Sequence, residues 1–385
     1  MGEQVLVINT GSTSKKYALY DGTELRESLH FELNGSSFLL TVHNSDGKKT
    51  EEISSDVFSQ SLKCVKEKIG DSVIGIIALR IVAPGLYFTK DGVLDENYIL
   101  RLKKIESRDP LHITPILDMY KNVTEIFPRI KVVGISDSAY HTTIPDKAKL
   151  YALPYEDVEK FELHRFGYHG ISVESVVRKL REENALSEKI IVCHLGGGSS
   201  MTAVSEGKSI ETSMGYSPLE GLVMATRPGN VDPLALITLQ EEKGLNASQL
   251  KNYLYKECGI KGMSGLSSDT RVLLEAEKEG DEKGARAKRA LQIYTHQVKK
   301  QIGALTAILN GLDTIVFTGT IGERSSIMRE RICTDLEYLG IHLDPYKNKN
   351  ETILESNIEI DDAPVQIKVI HTQEEEEMAR RANLV

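Results

Sequence analysis

The chain has 385 residues, of which 40% are hydrophobic and 27% are charged, and its formal net charge is −9. This length exceeds what one compact core usually holds and favours two domains. The negative charge argues against a general nucleic-acid-binding protein, and no apolar run reaches the roughly 20 residues needed to span a bilayer.

The first predicted elements are two strands, QVLVIN and KKYALYD, joined by a turn rich in Ser, Thr and Gly. Such a turn presents closely spaced N–H and O–H donors that suit phosphate oxygens, and Lys16 would add positive charge. A plain hairpin turn is the simpler alternative for this stretch on its own. A second turn of the same kind, HLGGGSS from His194, follows the apolar run IIVCHL and favours the phosphate interpretation.

Strands and helices alternate along the rest of the chain, as in α/β domains. KVVGISDSAYH predicts a buried strand that ends at Asp137, and SVESVVRKLREENA predicts a helix capped by Ser172. ALQIYTHQVKKQIGALTAILNG predicts a long amphipathic helix that ends at Asn310 and Gly311. The run DTIVFTGTIGERSS predicts a strand, then a Gly-rich turn before the next helix. The repeated strand–turn–strand unit suggests two related domains.

The cysteines are far apart in sequence and form no C-x-x-C pair; they are Cys64, Cys193, Cys258 and Cys333. Ordinary reduced thiols are therefore expected, with a structural zinc site as the minor alternative. The N-terminal sequence MGEQVLVINTG does not have the layout of a secretory signal. Together these features predict a cytoplasmic enzyme.

Neither Gly-rich turn is a Walker A motif, and neither is a dinucleotide-binding fingerprint, because a strand and not a helix is predicted after each one. The most distinctive blocks are the opening turn, SDSAYHTTIP, HRFGYHGIS and MGYSPLEGLVMATRPGNVDP. From about Val5 to Arg380, the sequence resembles the acetate kinase family of the actin, hexokinase and sugar-kinase superfamily.

The resemblance implies an α/β protein with a duplicated, two-domain actin-like (ribonuclease H-like) fold and a catalytic cleft between the domains. Residues 1–145 would form the domain for the acyl substrate and phosphate, to which the helix at about 374–385 would return. Residues 146–373 would bind the nucleotide and form a homodimer interface. Neither a nucleic acid nor a membrane is an expected partner.

The implied activity is reversible transfer of a phosphoryl group between ATP and acetate, giving acetyl phosphate and ADP by direct in-line transfer. The implied metal is Mg²⁺, with Mn²⁺ as a substitute. In-line transfer spreads charge over the equatorial phosphoryl oxygens, so such a site needs positioning and positive charge more than covalent chemistry.

Matching the family's motifs residue by residue implies a role for each of the following positions. The catalytic residues would be Asp137, His169 and Arg227. The substrate would be held by Arg80, through its carboxylate, and by an apolar pocket for the methyl group, formed by Val82, Leu111, Tyr168 and Pro218. The metal would be held by Asn9 and Glu374. The nucleotide and its phosphates would be bound by Ser12, Ser14, Lys16, His194, Leu195, Gly196, Gly197, Gly198, Asp269, Thr270, Arg271, Thr320, Ile321, Gly322, Glu323 and Arg324.

Taken without the family, several of these residues have plainer interpretations. Asp137 would serve equally well as a capping or structural carboxylate, and the four pocket residues as core. His169 would more often be a packed core residue and Arg80 a surface ion-pair former. Glu374 lies in a run of four glutamates that is typical of a solvated helix start, with Thr372 and Glu375 as a capping box.

The sequence departs from the family pattern at several places. Beside Arg80, Leu79 and Ala83 stand where the family usually has histidines, and Pro84 departs from the pattern as well. Asparagines of the family are replaced by Ile113 and Gly197. At the expected adenosine wall, Thr320 replaces a glycine and Arg324 replaces an asparagine. These departures leave open pyrophosphate or another nucleotide as donor, and propionate is an alternative acceptor. A catalytically silent nucleotide-binding relative is a third hypothesis. Retention of the metal, carboxylate-binding and catalytic residues favours an active enzyme.

Overall fold

The computed structural model describes residues 4–11, 14–34, 37–70, 73–350 and 355–385. The chain divides into two compact units. Unit 1 comprises Met1–Ala139, Gly170–Ser175 and Gln373–Val385, and unit 2 comprises Tyr140–His169 and Val176–Thr372. The assignment of 1–145 to the acyl substrate and 146–373 to the nucleotide stays a prediction.

Two sheets hold the strands of the described chain. In chain order the strands are β1 (Gln4–Thr10), β2 (Ser14–Asp21), β3 (Glu24–Asn34), β4 (Ser37–Asn44), β5 (Gly47–Ile53), β6 (Ile74–Ile81), β7 (Gly92–Val93), β8 (Lys131–Ser136), β9 (Lys189–Leu195), β10 (Ser199–Ser205), β11 (Lys208–Thr212), β12 (Thr314–Thr318), β13 (Ser356–Asn357) and β14 (Gln366–Val369).

Helices connect and cover these strands. In chain order they are α1 (Ser55–Ser59), α2 (Ser61–Ile69), α3 (Glu96–Ile105), α4 (Pro110–Ile126), α5 (Asp146–Lys149), α6 (Tyr155–Phe161), α7 (Gly170–Glu182), α8 (Pro233–Lys243), α9 (Ala247–Lys256), α10 (Gly259–Ser264), α11 (Thr270–Ala276), α12 (Glu282–Leu309), α13 (Gly319–Arg324), α14 (Ser326–Cys333), α15 (Pro345–Lys349) and α16 (Glu374–Ala382). Within the described ranges, none of them is long and apolar enough to cross a membrane.

The sheet of unit 1 has the order β5-β4-β3-β2-β1-β6-β8-β7. β1 pairs with β2 in antiparallel and with β6 in parallel, and β6 pairs with β8 in parallel. Side chains alternate between the two faces of a strand, so Leu6 and Ile8 enter one core, whereas Val5 and Val7 enter another. The second core is completed by Met378 and other apolar residues of α16.

The sheet of unit 2 has the order β11-β10-β9-β12-β14-β13. β9 pairs with β10 in antiparallel and with β12 in parallel, and β12 pairs with β14 in parallel. The segment β3-β2-β1-β6-β8 of unit 1 therefore has the same topology as β11-β10-β9-β12-β14 of unit 2. The predicted pair of strand–turn–strand units is confirmed: β1–β2 and β9–β10 occupy equivalent places.

Three local predictions need correction. Helix α7 begins at Gly170, so Ser172 lies in its first turn and is not its cap. The predicted turn after β12 is instead helix α13, because the Glu323 carboxylate accepts hydrogen bonds from Gly319 N and the Thr318 hydroxyl and so closes a helical turn. Helix α12 begins at Glu282 and not at Ala290, since the preceding Asp281 caps it. Its predicted end at Asn310 is confirmed.

Candidate active site

In unit 1, three neighbouring parallel strands carry predicted site residues at the same edge of the sheet. Asn9 lies near the end of β1, Arg80 near the end of β6, and Asp137 directly after β8. β6 lies between the other two strands. Because parallel strands end at the same edge, these side chains are brought together by topology although they are far apart in sequence.

Arg80 and Asp137 form a partly buried ion pair. Arg80 Nη2 lies 2.7 Å from Asp137 Oδ2, and the two side chains are 21% and 1% exposed. Arg80 Nη1 donates to Asn9 Oδ1 at 3.2 Å. Burial acts to lower the pKa of Arg80, but Asp137 and Glu374 together raise it above its ordinary value, so the guanidinium stays cationic.

The start of α16 contributes two carboxylates to this group. Asn9 Nδ2 donates to Glu374 Oε2 and to Glu375 Oε1, each at 2.9 Å, and Lys16 Nζ lies 3.3 Å from Glu375 Oε1. Burial acts to raise the pKa of Glu375, but Lys16 and the Asn9 amide lower it below its ordinary value. We call this group of residues the charged cluster: Asn9, Lys16, Arg80, Asp137, Glu374 and Glu375.

The interpretation of the glutamate run as a solvated helix start is wrong. Glu374 is 8% exposed and Glu377 is fully buried. The capping box is wrong as well, since Gln373 precedes the helix without a side-chain cap and Glu375 bonds to Asn9 instead. The cause is tertiary: α16 packs its apolar side chains against the sheet of unit 1, and Glu374 and Glu375 bond to Asn9 of β1.

The other predicted residues of unit 1 lie around this cluster or beside it in sequence. Ser14 is the first residue of β2, and its Oγ lies 2.8 Å from Nε2 of His30 in β3. Val82 follows β6 and Leu111 lies in the first turn of α4, and both are half-buried. Ser12 lies outside the described residues.

The charged cluster fits a hard divalent cation by its chemistry. The Glu374 carboxylate and the Asn9 amide oxygen are oxygen ligands of the kind that Mg²⁺ prefers. Across the described ranges, no three His, Cys, Asp or Glu side chains lie close enough together to hold a metal by themselves. Mg²⁺ usually takes only one or two carboxylates and completes its shell with water and substrate phosphates, so this donor set suits it.

In unit 2, His169 occupies the residue before α7 in a left-handed conformation, with φ of 57°. Its Nδ1 lies 3.0 Å from Ser200 Oγ in β10. Its ring centroid lies 4.2 Å from that of His194 at the end of β9. The hydroxyl at Ser200 and the neighbouring ring thus fix the direction of His169 Nε2.

The Gly-rich turn between β9 and β10 lies against two predicted catalytic residues. A methyl group built on Gly198 would lie 3.2 Å from His169 Nε2 and 3.4 Å from Arg227 Nη2. The same group built on Gly197 would meet nothing within 4 Å. Gly198 therefore lets the His169 and Arg227 side chains approach the turn. We call this group of residues the histidine–glycine cluster: His169, His194, Gly196–Gly198, Ser200 and Arg227.

The Arg227 side chain contacts a backbone carbonyl and lies near an aromatic ring. Its Nη1 donates to Pro218 O at 3.0 Å, and its guanidinium lies 5.9 Å from the ring centroid of Tyr255. Its loop is tied to the Gly-rich turn, since Ala225 N donates to Gly197 O at 3.2 Å. The loop that carries Arg227 is therefore hydrogen-bonded to the Gly-rich turn.

Tyr168 and Pro218, the predicted pocket residues of unit 2, are both buried. The Tyr168 hydroxyl donates to Tyr216 O at 2.8 Å. His141, which the sequence did not single out, lies with Nε2 3.0 Å from Tyr168 O and Nδ1 2.9 Å from Ser209 Oγ. These contacts fix the backbone just before His169.

The predicted nucleotide residues of unit 2 fall into two regions. β9 and β12 are parallel neighbours with Thr318 opposite His194, so the turn 194–198 and helix α13 follow adjacent strand ends. The link between them is tight at Gly319, whose φ is 76° and where a methyl group would lie 2.7 Å from Leu195 O. In contrast, Asp269, Thr270 and Arg271 lie at the start of α11, where Asp269 caps the helix and pairs with Arg271.

Within α13 the predicted residues differ in exposure. Thr320 and Arg324 are exposed, Ile321 is half-buried, and Gly322 is buried. Glu323 is 6% exposed, and besides its bonds to Thr318 and Gly319 it accepts from His371 Nδ1 at 2.8 Å. The observed contacts of Glu323 are internal ones that hold α13.

Sequence reasoning missed Glu375, Ser200 and His141. Glu375 was obscured by the run of four glutamates, of which the resemblance selected only Glu374. Ser200 is the second residue of β10, and the antiparallel pairing of β9 and β10 places it opposite His194. His141 becomes significant only through its long-range contact with Tyr168.

The amino-acid sequence matches the model of the Acetokinase family over residues 4–380. The chain belongs to the acetokinase family. The acetate kinase of Thermoanaerobacter pseudethanolicus is 40% identical over 395 residues, which cover 98% of this chain and 97% of that protein. The acetate kinase of Methanosarcina acetivorans is 39% identical, with coverage of 98% and 95%.

Solved structures of the family agree with the fold. A propionate kinase from Francisella tularensis has a TM-score of 0.88 and 31% identity, and covers 100% of both chains. The acetate kinase of Porphyromonas gingivalis has a TM-score of 0.84 and 31% identity, and covers 100% of this chain and 99% of that one. The duplicated, actin-like α/β fold is confirmed, and the chain is a phosphotransferase that acts on a carboxyl group.

Proposed function

We propose that the chain transfers a phosphoryl group reversibly between ATP and acetate, giving ADP and acetyl phosphate. Family membership over nearly the whole chain supports this proposal, as do relatives of about 40% identity that are acetate kinases. The observation that carries it is the combination in one chain of the charged cluster with the histidine–glycine cluster. Each supplies charges or donors that phosphoryl transfer between oxygen atoms requires.

Arg80 is proposed to bind the carboxylate of acetate. Its Nε is buried and has no hydrogen-bond acceptor among the described residues. A buried donor without an acceptor costs about 1–3 kcal/mol, so a carboxylate oxygen at this position would relieve that cost. Val82, Leu111, Tyr168 and Pro218 are proposed to contact the methyl group. One methylene changes binding in such pockets by only about 1–3 kcal/mol, so propionate is expected as a weaker acceptor.

His169 and Arg227 are proposed to donate hydrogen bonds to the phosphoryl oxygens, where charge develops in the transition state. Asp137 is proposed to hold Arg80 in position and to interact with the reacting groups from a buried site. Asn9 and Glu374 are proposed to hold Mg²⁺, for which Mn²⁺ would substitute, and this ion would neutralise phosphate charge. The proposed reaction is direct in-line transfer, which needs no phosphorylated enzyme intermediate.

Lys16, Ser12 and Ser14 are proposed to contact the nucleotide phosphates, together with His194, Leu195, Gly196, Gly197 and Gly198. Residues 269–271 and 320–324 are proposed to bind the rest of the nucleotide. Thr320 and Arg324 are exposed, and they replace a glycine and an asparagine of the family pattern, so the surface offered to the nucleotide differs from that pattern. Pyrophosphate or another nucleotide is therefore the competing donor.

A homodimer is proposed as the working form, in the cytoplasm. Helix α8 of unit 2 has no buried residue, and its Leu234 and Ile237 are 69% and 50% exposed. Such an apolar surface suits a second copy of the chain. Sedimentation of the wild type against Leu234→Glu would test this: a dimer that the substitution dissociates supports the proposal, and a wild-type monomer contradicts it.

Trapping of the product with hydroxylamine tests the reaction. The wild type should form acetyl hydroxamate from acetate, Mg²⁺ and ATP, and less product from propionate. Parallel reactions with GTP and pyrophosphate would identify the donor. If no hydroxamate forms with ATP, GTP or pyrophosphate, the enzymatic proposal is contradicted and a silent nucleotide-binding protein is favoured.

A further inference from the structure

The opposite end of α16 from Glu374 carries a buried ion group in unit 1. Arg381 is 4% exposed, and its guanidinium makes two bonds to the Asp91 carboxylate, with Nε 2.9 Å from Oδ2 and Nη2 bonded to Oδ1. Its Nη1 lies 3.1 Å from Glu174 Oε2. Burial acts to lower the pKa of Arg381, but Asp91 and Glu174 raise it, so the guanidinium stays charged.

Both members of the Arg381–Asp91 pair also hold the backbone of Ser136. Arg381 Nη2 donates to Ser136 O at 2.9 Å, and Ser136 N donates to Asp91 Oδ1 at 2.8 Å. Ser136 is fully buried and is the last residue of β8, directly before Asp137. A planar guanidinium bound in two places to a carboxylate fixes direction as well as distance. The pair therefore fixes the peptide from which Asp137 extends.

The backbone of Asp137 itself is held as well. Its N–H donates to Ile81 O at 3.0 Å, and its carbonyl accepts from Gly170 N at 2.8 Å. In this backbone position, Asp137 Oδ2 lies 2.7 Å from Arg80 Nη2. Taking the Arg381–Asp91 pair out of water is costly, and buried ion pairs are often poor stabilisers, so net stability alone is a weak reason for this arrangement.

We propose that Arg381 and Asp91 are positioning residues that clamp Ser136 and thereby set the Asp137 carboxylate against Arg80. The rate of phosphoryl transfer then depends on the C-terminal end of the last helix, far along that helix from Glu374. This inference rests on the proposed function. An error of about 1 Å in the placement of a reacting or orienting group costs about 10²-fold in rate, so a loosened clamp should be visible in kcat.

The neighbouring Arg380 provides a matched control. It lies on the same helix and forms ion pairs with Glu377 and with Glu174 Oε1, the latter at 3.1 Å, but its side chain is 35% exposed. Arg380 and Arg381 thus share the helix, the charge and one acidic partner, whereas the Arg381 guanidinium also bonds to the Ser136 carbonyl.

The test compares Arg381→Lys with Arg380→Lys in the full chain. Lysine keeps the charge at position 381 but not the two-pronged contact. We expect kcat of Arg381→Lys to fall about 10- to 100-fold, with KM for acetate within about threefold and a melting temperature close to that of the wild type. Arg380→Lys should stay within about twofold of wild type in kcat. Equal kcat values for the two variants, or a loss that matches the unfolded fraction, would overturn the proposal.

Asp91→Asn provides a second variant if Arg381→Lys folds poorly. It keeps the shape and one acceptor for Ser136 N, so a smaller fall in kcat, about five- to tenfold, is expected, again without a matching rise in KM. A wild-type kcat in a well-folded Asp91→Asn protein would argue against the clamp.

Amide hydrogen exchange separates this inference from the proposed function. The peptide that covers residues 132–138 should exchange faster in Arg381→Lys than in Arg380→Lys. This readout needs no substrate. If the wild type forms no acyl phosphate with any donor but exchange increases as expected, the proposed function fails while the clamp on Ser136 stands. Unchanged exchange in Arg381→Lys overturns the clamp itself.

Discussion

The charged cluster of unit 1 and the histidine–glycine cluster of unit 2 follow equivalent strands of two sheets with the same topology, yet they are built differently. In unit 1, side chains of opposite charge hold one another, as Arg80 and Asp137 or Lys16 and Glu375 do. In unit 2, backbone groups, ring contacts and the lack of a side chain at Gly198 set the geometry.

This difference indicates how each cluster would fail. The charged cluster should be sensitive to the loss of one charge, because the remaining partner is left buried and unbalanced. The histidine–glycine cluster should be sensitive to added atoms, because its donors already lie at contact distance from the turn. Mutations can therefore probe the charged cluster and the histidine–glycine cluster separately.

The largest effect is expected from loss of charge in unit 1. Asp137→Asn should lower kcat by about 10³-fold or more, because the amide does not balance Arg80 and does not interact with the reacting groups as a carboxylate does. The measurement is steady-state turnover, with circular dichroism as the control for folding. A loss of less than tenfold would assign Asp137 a structural role.

The second-largest effect is expected from loss of a hydrogen-bond donor in unit 2. Arg227→Ala should lower kcat by about 10²- to 10³-fold while the affinity for ADP stays nearly unchanged, since the side chain is proposed to act on the transition state. Kinetics and calorimetric titration with ADP would measure the two quantities. An effect confined to KM for acetate would contradict the transition-state role.

The comparison of clusters is sharpened by two adjacent glycines. Gly198→Ala should lower kcat by about 10- to 100-fold, because the new methyl group presses on His169 and Arg227. Gly197→Ala is the comparison: its methyl group would meet nothing within 4 Å, so kcat should fall less than in Gly198→Ala, and any loss should appear in KM for the nucleotide. Equal effects of the two substitutions would remove the packing argument.

Much of this site could be predicted from sequence because its residues follow strands. Asn9, Asp137 and His194 all lie at or just after the end of an apolar run, which is where α/β sheets place ligand-binding residues. What sequence could not supply are contacts made over hundreds of residues. Glu375 and Arg381 are typical helix-surface residues by composition, and only the packing of α16 onto β1 and β8 gives them partners. Helix α13 was not predicted because it depends on the Glu323 side chain, which accepts hydrogen bonds from Thr318 and Gly319 at the start of the helix.

The smallest expected effect concerns stability. Burial acts to raise the pKa of Glu323, but His371 and the N–H groups of Thr372 and Gly319 lower it below the ordinary 4.5. Because the folded pKa is depressed, the carboxylate stabilises the fold above about pH 4.5, and this contribution is lost as the pH falls through the folded pKa. Glu323→Gln should therefore cost about 1–3 kcal/mol of unfolding free energy at pH 7.

Urea unfolding from pH 7 down to pH 3 would measure this effect. The difference between wild type and Glu323→Gln should shrink towards the acidic end, whereas a substitution at an exposed glutamate such as Glu279 should show no such trend. A difference that grows with acidity would have the wrong sign.

The most direct test of the central claim is ³¹P NMR of the purified chain with acetate, ATP and Mg²⁺. The account predicts that acetyl phosphate and ADP form together in the wild type, and that both signals stay near background in Asp137→Asn and in Arg227→Ala although each variant is folded. ATP that stays intact in the wild type, or acetyl phosphate formed at an undiminished rate by either variant, would contradict it.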